Sequence, residues 1–144
     1  MGIPLRLLLV EDSEDDALLL KRTLTRGGYE LMQFTRVDTA EALENALAAN
    51  TWDIIIADYA MPQFDGIKAL EICKAYDLEI PFIIVSGTIG ETVAVNAMKA
   101  GAHDYLMKDK LARLIPAIER ELEDAAARRA RRAAVSEAVQ ARAR

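Results

Sequence analysis

Short apolar runs alternate five times with segments of helical periodicity along this chain. Most of these runs are continuously apolar, which is typical of parallel strands buried on both faces of a sheet. The predicted strands are residues 5–10, 31–36, 54–57, 82–85 and 103–106. Because crossovers between parallel strands are right-handed, the expected fold is an α/β, doubly wound five-stranded sheet with helices on both faces.

The segments between the strands have recognisable helix starts and stops. Ser13 is a suitable N-cap with an acid three residues later, and Asp38 or Thr39 opens the next helix. Helix stops are expected at three glycines, namely Gly27, Gly28 and Gly101. The pattern therefore predicts helices that begin and end between every pair of strands.

The last segment is helical from about residue 111 to the end of the chain. Its apolar stripe, which can dock on the sheet, consists of Leu111, Leu114, Ile115, Ile118 and Leu122. Pro116 cannot donate an intrahelical bond, so the helix is predicted to begin near Leu114 after a tight turn that follows Asp109. Alanines and arginines then replace the stripe. We therefore divide the chain into a domain at 1–122 and a basic helical extension or linker at 123–144.

Composition narrows the class of protein. The chain has 144 residues, 52% hydrophobic and 28% charged, which suits one domain with one core. The apolar runs are far shorter than a bilayer span, and the N-terminus lacks a signal-peptide cleavage site. We therefore expect a cytoplasmic protein without membrane contact. The lone Cys73 is predicted to be a packed side chain, and the lone His103 to have a structural or surface role.

Charge is distributed unevenly along the chain. The formal net charge is −5, with acids in excess before residue 110 and arginines in excess after it. The arginines have no interleaved aromatic residues, so a solvated helical face explains them and no direct nucleic-acid contact is expected. Apolar residues and arginines share heptad positions in this segment. A weak homodimer through the extension is the corresponding prediction.

Polar residues follow four of the predicted strands, at the carboxyl ends where open parallel sheets bind ligands. They are Glu11 and Asp12, Asp58, Ser86 and Lys108. An all-oxygen site of carboxylates suits Mg²⁺ better than zinc. Beside such an ion an aspartate can attack phosphorus, while a lysine and a serine contact the phosphoryl oxygens. The sequence thus indicates a magnesium-dependent phosphoryl site.

Four segments together resemble the receiver domain of bacterial two-component response regulators, over residues 5–122. They are LLLVEDSEDD, DIIIADYAMPQFDG, PFIIVSGTIG and AGAHDYLMKDK, in that order. The resemblance implies a flavodoxin-like strand order, 2-1-3-4-5, with an extended C-terminal helix. It implies a sensor histidine kinase or phosphotransfer protein as partner, and an output partner or following domain. The chain resembles receivers that precede a sensor kinase or another signalling module.

The resemblance also implies roles for single residues. Asp58 matches the phosphoacceptor, and Mg²⁺ would be held by Glu11, Asp12, Asp58 and the backbone carbonyl of Ala60. The phosphoryl-contacting and switch positions are matched by Ser86, Lys108 and Tyr105. The positions that tune dephosphorylation are matched by Ala60 and Thr88. The implied function is a phosphorylation-activated switch that assists its own phosphotransfer and dephosphorylation, and not an enzyme with a separate substrate.

Two alternatives stay open, and a departure from the family pattern supports the second of them, a binding module. Asp109 follows Lys108 where receivers usually have proline, so a cis bond is not expected there. One alternative is a Mg²⁺-dependent phosphohydrolase with an aspartyl-phosphate intermediate. Such enzymes of the dehalogenase-like fold carry Asp-x-Asp after the first strand, where this chain has Glu11-Asp12-Ser13. The other is a binding module that takes no phosphate.

Overall fold

Five parallel strands form the centre of the molecule in a computed structural model that describes residues 2–62, 64–77, 79–87 and 91–142. They are β1 (Ile3–Val10), β2 (Tyr29–Val37), β3 (Ile54–Asp58), β4 (Phe82–Ser86) and β5 (Asp104–Met107). Their order in the sheet is β2-β1-β3-β4-β5. The α/β class and the flavodoxin-like strand order are both confirmed.

Helices connect the strands and cover both faces of the sheet. They are α1 (Glu14–Arg26), α2 (Ala40–Ala49), α3 (Gly66–Tyr76), α4 (Glu91–Ala100) and α5 (Leu114–Arg142). Side chains on β1 alternate between the two faces: Leu7 and Leu9 pack with α1 and α5, whereas Leu8 and Val10 pack with α2 and α3. The strands are therefore buried on both sides, as their continuous apolar runs predicted.

The helix caps follow the sequence signals closely. Ser13 Oγ accepts a hydrogen bond from the Asp16 backbone N–H (3.2 Å), and Thr39 Oγ1 accepts one from Ala42 N–H (3.1 Å). Thr39, rather than Asp38, is thus the cap of α2. After α1 and α4 the chain turns through Gly28 (φ 97°) and Gly101 (φ 110°), a left-handed conformation that favours glycine.

The predicted strand bounds differ most at β1 and β2, each of which begins two residues earlier than predicted. β2 is longer than the predicted 31–36, because its first residues pair with the start of β1. His103 was predicted to begin the fifth strand, but β5 begins at Asp104. The His103 ring instead accepts a hydrogen bond at Nδ1 from the Phe82 backbone N–H (3.0 Å). This bond gives the half-buried histidine a structural contact at the start of β4.

The segment after β5 begins with a tight turn, as predicted. A 3₁₀ helix spans Lys108–Arg113, and α5 begins at Leu114. The described residues contain no cis peptide bond, so the Lys108–Asp109 bond is trans. Burial along α5 continues to Ala125, after which the helix is largely exposed. Among the described helices, none has the length and hydropathy needed to cross a membrane.

Candidate functional site

Three carboxylates converge at the carboxyl end of the sheet. The register pairs Val10 of β1 with Ala57 of β3, so the residues that follow, Glu11 and Asp58, are neighbours. Glu11, Asp12 and Asp58 each place a carboxylate oxygen within 4.8 Å of the other two. Glu11 is 3% exposed and Asp58 4% exposed, whereas Asp12 faces solvent. The structure therefore brings the three predicted acids together in a half-open, strongly negative site.

Lys108 lies among these acids because it directly follows β5. Its Nζ is 2.9 Å from Glu11 Oε1, 3.3 Å from Asp58 Oδ2 and 2.7 Å from Asp16 Oδ2. One ammonium thus pairs with three carboxylates, which come from the residue after β1, from β3 and from α1.

Burial and charge shift the ionisation of this cluster. Burial raises the pKa of Glu11 to about 7, with a further contribution from the charge of Asp58, while the bond from Lys108 opposes the shift. Burial by itself lowers the pKa of Lys108, but its hydrogen bonds with Asp16 and Glu11 and the charge of Asp58 outweigh burial and raise it. The ammonium therefore stays charged while it contacts a carboxylate that is costly to ionise.

The donor set fits a hard divalent cation. Every candidate ligand is an oxygen, and the acids outnumber the single lysine, so negative charge remains for a cation to neutralise. Glu11, Asp12 and Asp58 are the residues that would hold Mg²⁺. Ala60 lies beside them, and its backbone N–H donates to Asp58 Oδ1 (3.2 Å). This bond orients the Asp58 carboxylate at the end of its strand.

Ser86 lies at the same edge of the sheet. It ends β4, is fully buried, and pairs with Met107, the residue before Lys108. Tyr105 also lies on β5, but it pairs with Ile84 and packs, half-buried, against the core on the α2 and α3 side. The structure therefore places Ser86 at the same edge of the sheet as the acid cluster. Tyr105 lies two residues further back along the strands, where it pairs with Ile84. Thr88 lies outside the described residues.

Asp16 is the site residue that sequence reasoning missed. It was noted only as an acid in the first turn of α1, where a negative charge is favourable anyway. Its partner Lys108 is 92 positions away in the chain. A sequence signal existed, since Asp16 follows Asp12 by four positions and lies in the first turn of α1, but only the fold shows that this turn faces Lys108.

Comparison with known proteins identifies the class to which this fold and site belong. The model of the response regulator receiver domain matches residues 7–119, and the chain belongs to this family. It is 36% identical over 103 residues to the transcriptional regulatory protein PrrA of Mycobacterium leprae, covering 72% of this chain and 43% of PrrA. It is 30% identical over 123 residues to the chemotaxis protein CheY of Bacillus subtilis, covering 81% and 97%.

One solved structure bears on the acid cluster. The receiver domain of the sensor histidine kinase PA1611 from Pseudomonas aeruginosa is 25% identical, with a TM-score of 0.69 over 85% of this chain and 99% of that one. That domain has a magnesium ion coordinated in its active-site cleft. The present chain spans less than half the length of PrrA but nearly all of the Bacillus CheY.

Proposed function

We propose that this chain is a phosphorylation-activated switch of a two-component phosphorelay, with Asp58 as the phosphoacceptor. The observation that carries the proposal is the position of Asp58. Its buried carboxylate has one oxygen bound by the Ala60 N–H and the other 3.3 Å from Lys108, beside the acids of β1. Burial, orientation and an adjacent ammonium are the features that a carboxylate nucleophile toward phosphorus requires.

In this proposal the Asp58 carboxylate attacks the phosphorus of a phosphohistidine on a histidine kinase or phosphotransfer protein. A P–O bond to Asp58 forms as the P–N bond of the donor breaks, and the imidazole nitrogen leaves with the bonding electron pair. Mg²⁺ held by Glu11, Asp12, Asp58 and the Ala60 carbonyl would offset the negative charge that gathers in this step. The Ala60 N–H holds the attacking carboxylate in its orientation.

The switch follows from the groups that meet the new phosphoryl oxygens. Lys108 exchanges a carboxylate contact for a phosphoryl contact, and the Ser86 hydroxyl donates to the same group. Ser86 and Tyr105 lie on adjacent strands, so displacement of Ser86 changes the space open to the Tyr105 ring. Phosphate thereby favours one of two surface conformations by binding it better. We assign Ala60 and Thr88 to tuning the lifetime of the phosphoaspartate.

We further propose that the switch acts in the cytoplasm and passes its state to an output partner or a following domain. Residues 123–144 would serve as the extension or linker, and the exposed Val135 and Val139 would support a weak homodimer. The chain acts as a signalling domain that assists its own phosphotransfer and dephosphorylation.

The test is phosphorylation with Mg²⁺ and acetyl phosphate, followed by intact mass measurement. We expect one phosphoryl adduct in the wild type and none in Asp58→Asn, because the amide is not a nucleophile. Asp38→Asn removes the same charge from an exposed residue outside the site and should phosphorylate normally. An unmodified wild type, or an adduct in Asp58→Asn, would contradict the proposal. Repeated release of phosphate from ordinary phosphate esters would instead favour a phosphohydrolase.

A further inference from the structure

The shortest contact of the Lys108 ammonium is not with the proposed phosphoacceptor. Lys108 Nζ lies 2.7 Å from Asp16 Oδ2 and 3.3 Å from Asp58 Oδ2. The Asp16 side chain is 43% exposed, whereas that of Asp58 is 6% exposed. The lysine is therefore held toward α1 by the more hydrated of these two carboxylates.

The position of Asp16 is set by the frame of α1. Ser13 Oγ caps the helix by accepting from the Asp16 backbone N–H, which fixes Asp16 in the first turn. Leu20 and Leu24 bury the same helix against the sheet. The carboxylate that holds Lys108 therefore stands on a packed helix rather than on a loop, so the ion pair has a defined direction.

The Lys108 ammonium engages three carboxylates in this arrangement. Its hydrogen bonds go to Asp16 and Asp58, and Glu11 Oε1 lies 2.9 Å away as the third ion-pair partner of a group that carries three donors. A phosphoryl group on Asp58 needs at least one of these donors, so Lys108 must release one carboxylate. Asp16 is the partner best able to be released, because its exposed carboxylate regains water while the buried Glu11 cannot.

We propose that Asp16 is a positioning residue that occupies one donor of the Lys108 ammonium in the unphosphorylated domain and frees that donor when the phosphoryl group arrives. The inference rests on the proposed function of Asp58. Breaking the Asp16–Lys108 pair then becomes part of phosphorylation, and the strength of that pair opposes the reaction. Asp16 thus sets how readily the switch is turned on.

The functional test measures the rate of phosphorylation by acetyl phosphate at saturating Mg²⁺, so that altered metal affinity does not enter. We expect Asp16→Ala to react about threefold faster than the wild type, as expected when a half-exposed ion pair no longer has to break. Asp15→Ala is the matched control, because it removes the same charge from an exposed residue in the same turn. Asp16→Glu, which restores a carboxylate, should return the rate toward that of the wild type.

A second measurement needs no phosphate. The ¹H and ¹³C signals of the Lys108 ε-methylene should shift in Asp16→Ala and stay unchanged in Asp15→Ala, since of these two acids Asp16 is the one whose carboxylate pairs with the ammonium. Unchanged Lys108 signals would overturn the inference about Asp16, and so would an Asp16→Ala rate equal to or below that of the wild type. The proposed function would still stand in both cases if the wild type forms the phosphoryl adduct. A wild type without an adduct would overturn the proposed function and the role of Asp16 together, although shifted Lys108 signals would still establish the ion pair.

Discussion

The two ends of the sheet carry charged groups in opposite proportions. At the carboxyl end, four acids surround one ammonium: Glu11, Asp12, Asp16 and Asp58 stand around Lys108. At the amino end, the Asp53 carboxylate is matched by Arg6 (2.9 Å), and that of Glu79 by Arg132 (2.8 Å) and Arg128 (3.5 Å). The first arrangement leaves negative charge uncompensated, and the second does not.

The difference separates charges that hold the fold from charges that await a ligand. Paired groups at the amino end join elements distant in the chain, and the Arg132–Glu79 pair ties α5 to the start of β4 across 53 positions. The four carboxylates at the carboxyl end share one ammonium and repel one another, which costs stability unless a further cation is present. Excess charge of one sign in a half-buried cluster is therefore a better indicator of function than charges that are matched by a partner of opposite sign.

The largest effect is expected from removing Lys108, the cation that contacts three acids of the carboxyl end. Lys108→Met leaves Glu11 and Asp58 buried without a countercharge, which should lower the free energy of unfolding by about 2 kcal/mol. Millimolar Mg²⁺ should recover much of this loss, because it binds the folded acid cluster and not the unfolded chain. Urea denaturation with and without Mg²⁺ measures both effects.

The exposed Lys110 provides the control for that prediction, since it lies outside the cluster. Lys110→Met should unfold like the wild type in both buffers. Two results would contradict the prediction: a Lys108→Met variant that is as stable as the wild type without Mg²⁺, or one whose stability does not respond to the ion. Either result would mean that the carboxyl end holds no unbalanced charge and does not differ from the amino end in this respect.

A smaller effect, without any response to Mg²⁺, is expected at the amino end. Glu79→Gln removes the carboxylate that pairs with Arg128 and Arg132, and should cost about 1 kcal/mol of unfolding free energy. Amide hydrogen exchange in the helix beyond residue 126 should accelerate, because these pairs hold that segment to the domain. Glu137→Gln, an exposed change on the same helix, should alter neither. If the loss of stability depended on Mg²⁺, Glu79 would belong to the charges that await a ligand and not to those that hold the fold.

The smallest effect concerns His103, whose Nδ1 accepts from the Phe82 backbone N–H and whose Nε2 lies 3.5 Å from Arg128 Nη2. Burial lowers its pKa, and the charge of Arg128 adds to this shift against the opposing acids Glu79 and Asp124. Because the folded protein binds the proton less well than the unfolded chain, His103 contributes stability at high pH that is lost as the pH falls below about 6.5. Protonation also removes the Nδ1 acceptor that Phe82 N–H uses.

The measurement is the free energy of unfolding between about pH 8 and pH 5.5 for the wild type and His103→Gln. The wild type should lose more stability over this range than the variant, whose side chain does not titrate. Carboxylates common to both proteins cancel in the difference. Equal pH profiles would show that His103 contributes nothing to the balance at the amino end.

Much of the fold was predictable because its signals are local. The isoleucine run of β3 and the apolar run of β4 depend only on which side chains are next to one another, and both strands were found within one residue of their observed ends. The caps at Ser13 and Thr39 are likewise decided within four residues. Bounds were least accurate where pairing with another strand extends an element, as at β2.

The candidate site was predictable where it depends on strand ends. Parallel strands direct their carboxyl ends to one edge, so Glu11, Asp58 and Ser86 could be grouped without coordinates. The contact of Asp16 and the hydrogen bond of the His103 ring could not be predicted. Both depend on contacts between residues far apart in the chain, with Lys108 and with Phe82 respectively.

By itself the sequence determined the elements of this protein, the edge of the sheet where its chemistry gathers, and the identity of Asp58 as the residue that an apolar strand presents there. Periodicity and residue type are enough for these, because they express the burial preference of each segment. Only the tertiary structure decided which acids share Lys108 and which arginines neutralise Glu79. Such choices rest on distances of about 3 Å between side chains from separate elements, and those distances exist only once the helices have packed on the sheet.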